Sequence, residues 1–122
     1  MKRFKGDGDI KYFNQPDSII VSYYQHLDEG EEAKEIRDEI SKQEINKVIN
    51  SINKLNEGKR IPTSAIAHLT YGMSWKEVFA NRPIHIRLTH ILGILNYYGI
   101  THYSKRGFTS VIKQVREIQE IL

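Results

Sequence analysis

The sequence predicts a mainly α fold with a small β-hairpin, preceded by an N-terminal extension and closed by a C-terminal helix. Three observations predict it. Apolar residues recur at helical spacing through most of the stretch from residue 31 onward. Helix-boundary residues punctuate that stretch: Ser41 and Ser74 as caps, Gly58, Gly72 and Gly99 as stops. After Gly99, two short runs of strand-forming residues flank a turn at Ser104-Lys105-Arg106-Gly107, the pattern of a hairpin.

Residues 1–30 form the extension and read as irregular or β. Arg3-Phe4-Lys5 and Ile10-Lys11-Tyr12-Phe13 flank Gly6-Asp7-Gly8-Asp9, which reads as a turn. Asn14-Gln15-Pro16-Asp17 is a second breaker. Ser18 to Tyr24 is rich in β-branched and aromatic residues and suits a strand. Ile20, Tyr23, Tyr24 and Leu27 suit a helix behind Asp17 equally well, so both assignments stand. From residue 31 to 122 the remainder forms one domain. Ala33, Ile36 and Ile40, then Ile45, Val48, Ile49, Ile52 and Leu55, predict two helices at about 31–40 and 42–57. They are separated by the capping-box pair Ser41 and Glu44.

Lys59-Arg60-Ile61-Pro62 reads as an extended connector, because a proline disfavours helix in the residue before it. Thr63 or Ser64 then caps a helix to about Tyr71 with Ile66 and Leu69 inward. Ser74 opens a short helix, Trp75 to Ala80, whose Trp75 and Phe79 are expected in the core. Pro83 stands at a first-turn position. The next helix carries the clearest stripe, Ile84, Leu88, Ile91, Leu95 and Tyr98, widened by Leu92, with Gly99 as its C′ residue. Val111, Val115, Ile118 and Leu122 predict an amphipathic C-terminal helix.

Composition narrows the functional classes. Without cysteine there is no disulfide framework, Cys-based metal site or thiol chemistry. No apolar run approaches the roughly 20 residues of a bilayer span. The N-terminal Met-Lys-Arg-Phe-Lys-Gly-Asp-Gly-Asp has no apolar stretch behind it, so a cytoplasmic protein is expected. There is no Gly-rich phosphate loop, Gly-x-Ser-x-Gly or His-Glu-x-x-His, and the chain is read as a non-enzyme without cofactor or metal. His85 and His90, five apart, do not share a helix side, and Asp7-Gly8-Asp9 lacks the bidentate glutamate of a calcium loop. The net charge of +3 is uneven: residues 58–122 hold nine Lys/Arg against three Asp/Glu. That imbalance points to an anionic partner, or to an acidic surface that it complements.

The order from residue 43 to 112 is helix, short extended piece, helix, turn, helix and hairpin. With the corner Leu95-Asn96-Tyr97-Tyr98-Gly99-Ile100 running straight into a basic hairpin, it resembles the winged helix-turn-helix family. The span from Gly72 to Arg82 is long for a simple turn: either it inserts an extra short helix, or 74–81 is itself the helix preceding recognition. The resemblance implies a recognition helix at about 83–98 and a wing at about 100–112. The start of that helix offers Arg82, His85, Arg87, Thr89 and His90 to base edges, and the wing offers Lys105 and Arg106 to phosphates. The helix side opposite the core includes Arg82, Ile86, Thr89, Gly93 and Asn96. Tyr97, Tyr98, Tyr103 and Phe108 pin the wing to the helix or, in a second reading, stack single-stranded bases.

The expectation is therefore a duplex-DNA-binding transcriptional regulator acting as a homodimer. The C-terminal stripe or the 31–57 segment would supply its dimer face. The rival expectations are an adaptor that uses the same fold to contact an acidic protein, and a single-strand or RNA binder.

Overall fold

The computed structural model describes residues 10–25, 34–104 and 106–122. They belong to two units, Met1–Ser41 and Lys42–Leu122.

In the first unit the β-branched run becomes a strand. β1 (Lys11–Asn14), β2 (Ser18–Gln25) and β3 (Lys34–Ser41) form an antiparallel sheet in the order β1-β2-β3. Ser18 lies opposite Ser41 and Gln25 opposite Lys34, so β2 and β3 pair along their full length. Ile19, Val21 and Ile40 are buried, and Ile19 lies directly across from Ile40. Ser18 Oγ donates to the Glu39 carboxylate at 2.7 Å. At Tyr23, burial and then the charge of Asp38 raise the phenol above its ordinary value.

The helix expected at 31–40 is not formed over its described part. Ile36 and Ile40 are four residues apart, and that spacing keeps two side chains on one face in a strand as well as in a helix. The eight-residue partner β2 decides between them. Ala33 and the turn read at Gly6–Asp9 lie outside the described residues.

The second unit starts with α1 (Lys42–Leu55), whose Ile45, Val48, Ile49 and Ile52 are buried. β4 (Ile61–Pro62) leads directly into α2 (Thr63–Tyr71). α3 (Trp75–Ala80) begins with a capping box: Ser74 Oγ accepts from Glu77 N–H, and Ser74 N–H donates to the Glu77 carboxylate. These bonds hold the Glu77 carboxyl below its ordinary value. Asn81 alone separates α3 from α4 (Arg82–Tyr97) and caps α4 through its side-chain oxygen, which accepts from Ile84 N–H at 3.3 Å. Leu88, Ile91, Leu92, Ile94 and Leu95 bury one side of α4. Gly99 has a φ of 76°, the left-handed conformation of a C′ residue, and Ile100 N–H closes the helix on Leu95 C=O at 2.9 Å.

β5 (Thr101–Tyr103) and β6 (Phe108–Val111) form the expected hairpin. β6 also pairs with β4, so the sheet order is β4-β6-β5. Gly107 (φ 84°) completes the hairpin turn, and its carbonyl accepts from both the N–H and the hydroxyl of Thr63 at 3.0 and 2.9 Å. These two bonds tie the turn to the start of α2.

Two expectations are corrected here. The fold is mixed α/β rather than mainly α: four α-helices and two three-stranded antiparallel sheets among the described residues. The tail is not an amphipathic helix; it carries one 3₁₀ turn, Ile118–Glu120. Its groups bond elsewhere instead. Asn53 Nδ2 donates to Val115 C=O, and Asn46 accepts from Ile118 N–H at 2.8 Å while its amide donates to Gln119. The Glu120 carboxylate accepts the N–H groups of Arg116 and Glu117. Side chains that satisfy backbone groups locally compete with helix formation. Val115 and Ile118 are thereby buried within their own unit, which uses up half of the stripe offered as a dimer face.

Candidate nucleic-acid interface

One helical turn of 3.6 residues places Arg82, Ile86, Thr89, Gly93 and Asn96 within one arc of α4, with His85 at its border, about 100° wide in all. Arg82, Thr89 and Asn96 are exposed, and the buried residues Leu88, Ile91 and Leu95 lie on the far side. The exposed arc is short of charge but free of acid. Between Glu77 and Glu117 the sequence contains no Asp or Glu over 39 residues, a stretch that holds all of α4 and the hairpin. The same stretch carries six Lys/Arg and three His. Counted over the two units, Lys42–Leu122 has twelve basic and five acidic side chains, a net +7. Met1–Ser41 has six and ten, a net −4, and together they give the +3 of the chain.

The residues singled out from the sequence separate into groups. Arg82 is exposed at the first position of α4, and Thr89 is exposed two turns on, its hydroxyl donating to His85 C=O at 2.9 Å. Arg106 is exposed in the hairpin turn. Lys105 lies outside the described residues. Arg87 instead faces α1: its guanidinium is 3.2 Å from the Glu44 carboxylate, with 39% and 23% of the two side chains exposed. Glu44 also accepts from Tyr71 Oη at 3.0 Å, so α1, α2 and α4 meet at one carboxylate. Burial first, and then the Glu44 charge, push the Tyr71 hydroxyl well above its ordinary value. His90 is buried.

His85 belongs to a ring cluster. Its imidazole lies 5.6 Å from Trp75 and 5.2 Å from Phe79, and those two rings are 6.3 Å apart. Neither aromatic fills the core as expected: Trp75 is 37% and Phe79 67% exposed, and Val78 is the residue of α3 that is buried. In a six-residue helix one buried position suffices to anchor it, and Trp75 and Phe79, four apart, share the side turned to solvent.

Just before β4, Arg60 lies over the Phe108 ring of β6 at 5.0 Å, a cation–π contact. The register aligns His102 with Ser110 and Pro62 with Phe108. Arg60 was legible only as part of a connector, because the pairing of β4 with β6 joins segments more than forty residues apart. Tyr97 and Tyr98 meet edge-on at 5.0 Å, and burial followed by the neighbouring Tyr97 raises the Tyr98 hydroxyl. Tyr97 itself is exposed.

Compared with known protein families, curated proteins and solved structures, the chain matches none. Its function is therefore argued from the site. Among the described residues no group of three His, Asp or Glu side chains is placed to hold a metal, and no helix is long and apolar enough to cross a membrane.

Proposed function

We propose that residues 42–122 bind duplex DNA, with the exposed arc of α4 in the major groove and the hairpin on adjacent phosphates, and that the protein acts as a sequence-reading regulator. The observation that carries this reading is the acid-free stretch between Glu77 and Glu117, which coincides with α4 and the hairpin in a unit of net charge +7. An α-helix fits the major groove, and cations without neighbouring carboxylates are what a phosphate surface attracts. Arg82 offers a bidentate contact to guanine at a specific site or a cation to a phosphate on random-sequence duplex, and Thr89 offers a hydroxyl and a methyl. Arg60, exposed just before β4, and Arg106, exposed in the hairpin turn, offer cations to phosphates. The reading also rests on the resemblance of residues 43–112 to the winged helix-turn-helix family.

The test is fluorescence anisotropy of the full chain with random-sequence duplex across a salt series. Each phosphate contact contributes about 0.9 to the log–log slope, so a slope of several units is expected. Arg82→Glu combined with Arg106→Glu should lower the slope by about 2. Absence of binding at low salt would overturn the reading and direct the search to an acidic protein partner.

A further inference from the structure

We propose that the Trp75–Phe79–His85 cluster is a stacking site for an unpaired base, so that the preferred ligand is DNA in which duplex adjoins a single-stranded stretch. The proposal rests on the reading of residues 42–122 as a DNA-binding unit and adds the class of DNA. Three observations lead to it. Phe79 is the most exposed aromatic ring among the described residues, at 67%, yet it is held in place: both Trp75 and His85 contact it, and α3 is fixed at its two ends by the Ser74–Glu77 capping box and by Asn81. The ring pairs are tilted or edge-to-face, at interplanar angles of 56° to 65°, so no neighbouring ring lies flat over Phe79. His85 stands on the border of the exposed arc of α4, which places the cluster at the edge of the surface that carries Arg82 and Thr89.

The chemistry around the rings selects the occupant. Lys76 is exposed beside Trp75, and Arg82 is exposed three residues before His85. The carboxylate that α3 itself carries, Glu77, is committed to the Ser74 cap. A rigid aromatic surface flanked by cations suits a flat base joined to a phosphate chain. In an intact duplex both faces of each base are covered by its neighbours, so a ring at the groove margin reaches a base only where the stack is broken. With α4 in the groove, that base is one at a duplex end, gap or bulge.

The experiment uses the full chain and three labelled DNAs: a duplex of about two helical turns, the same duplex with a short unpaired thymine tail, and the same tail without bases. One base on an aromatic ring supplies about 5- to 150-fold in affinity, so the thymine tail should tighten binding about 10-fold over plain duplex. The abasic tail should not. Trp75 is the sole tryptophan of the chain, and its emission should be quenched by the thymine tail alone. Phe79→Ala should remove the preference and leave duplex affinity within about 2-fold, whereas Phe79→Tyr should retain it. Equal binding of thymine and abasic tails overturns the proposal, as does a preference that survives Phe79→Ala. Self-association of the free protein that is lost in Phe79→Ala also overturns it, since a second copy would then cover the rings. Duplex binding without any gain from a tail removes this inference alone; absence of binding to all three DNAs removes the DNA reading with it.

Discussion

Two arginines five residues apart on α4 should respond to substitution in opposite ways. Arg82 is exposed at the first helical position, and Arg87 pairs with Glu44 at 3.2 Å beneath Tyr71. Arg82→Ala removes one cation from the exposed arc. If that cation meets one phosphate, the salt slope falls by about 0.9, which corresponds to about 5-fold weaker binding at about 0.15 M salt and about 8-fold at about 0.1 M. Folding stability should hold or rise by a few tenths of a kcal/mol, because a positive charge at a helix N-terminus opposes the macrodipole. Arg87→Ala removes an ion pair that is partly exposed, so solvent screening limits its worth to about 1 kcal/mol. For a domain of this size that lowers Tm by about 4–8 °C. Its salt slope should stay at the wild-type value. Thermal unfolding followed by circular dichroism, with anisotropy on the same samples, measures both quantities. If Arg87→Ala loses more affinity than Arg82→Ala while its Tm is unchanged, the assignment of the exposed arc as the DNA face is refuted.

Two further substitutions test the fold beneath the site. Ile118→Ala empties a fully buried position in a tail that contains little regular structure, and should cost about 2–4 kcal/mol in urea unfolding; a loss within about 0.5 kcal/mol, the range of surface substitutions, would show that the tail does not pack. Glu77→Ala removes the carboxylate of the α3 capping box. The folded Glu77 carboxyl titrates below its ordinary value of 4.5, so its contribution is present above that pH and is lost as the pH falls through the lower folded value. The Tm difference between wild type and Glu77→Ala should therefore be constant near neutral pH and shrink on acidification below 4.5; a difference that stays constant into strong acid would rule out the carboxylate as its source.

The parts of the fold legible in the sequence are those specified by local chemistry. α4 was readable because Leu88, Ile91, Leu92 and Leu95 repeat at helical spacing between Pro83 and Gly99, and the hairpin because two strand-forming runs flank a glycine turn. β3 was not, since Ile36 and Ile40 satisfy both periodicities and the choice is made by their partners Tyr23 and Ile19 on another strand. The tail failed for a related reason: its apolar spacing is helical, but Asn46 and Asn53 on α1 supply hydrogen bonds that periodicity does not register. Among the site residues, position on α4 separates Arg82 from Arg87, yet only the location of Glu44 shows that Arg87 is engaged. Trp75 and Phe79 are expected in the core because a large ring favours burial, a preference that does not register whether a short helix has room to bury it.

The order β1-β2-β3 has a consequence for aggregation. Ile19-Ile20-Val21 is the kind of apolar, β-branched run that recruits other chains when its backbone edge is open. In the folded sheet that run is the central strand, and both of its edges are paired. The strand presented at one rim instead, β3, carries Lys34, Glu35, Arg37, Asp38 and Glu39 among its eight residues. A neighbouring molecule approaching that rim meets a row of ionised side chains that it would have to desolvate, so the charges of β3 oppose edge-to-edge addition of further copies at that rim.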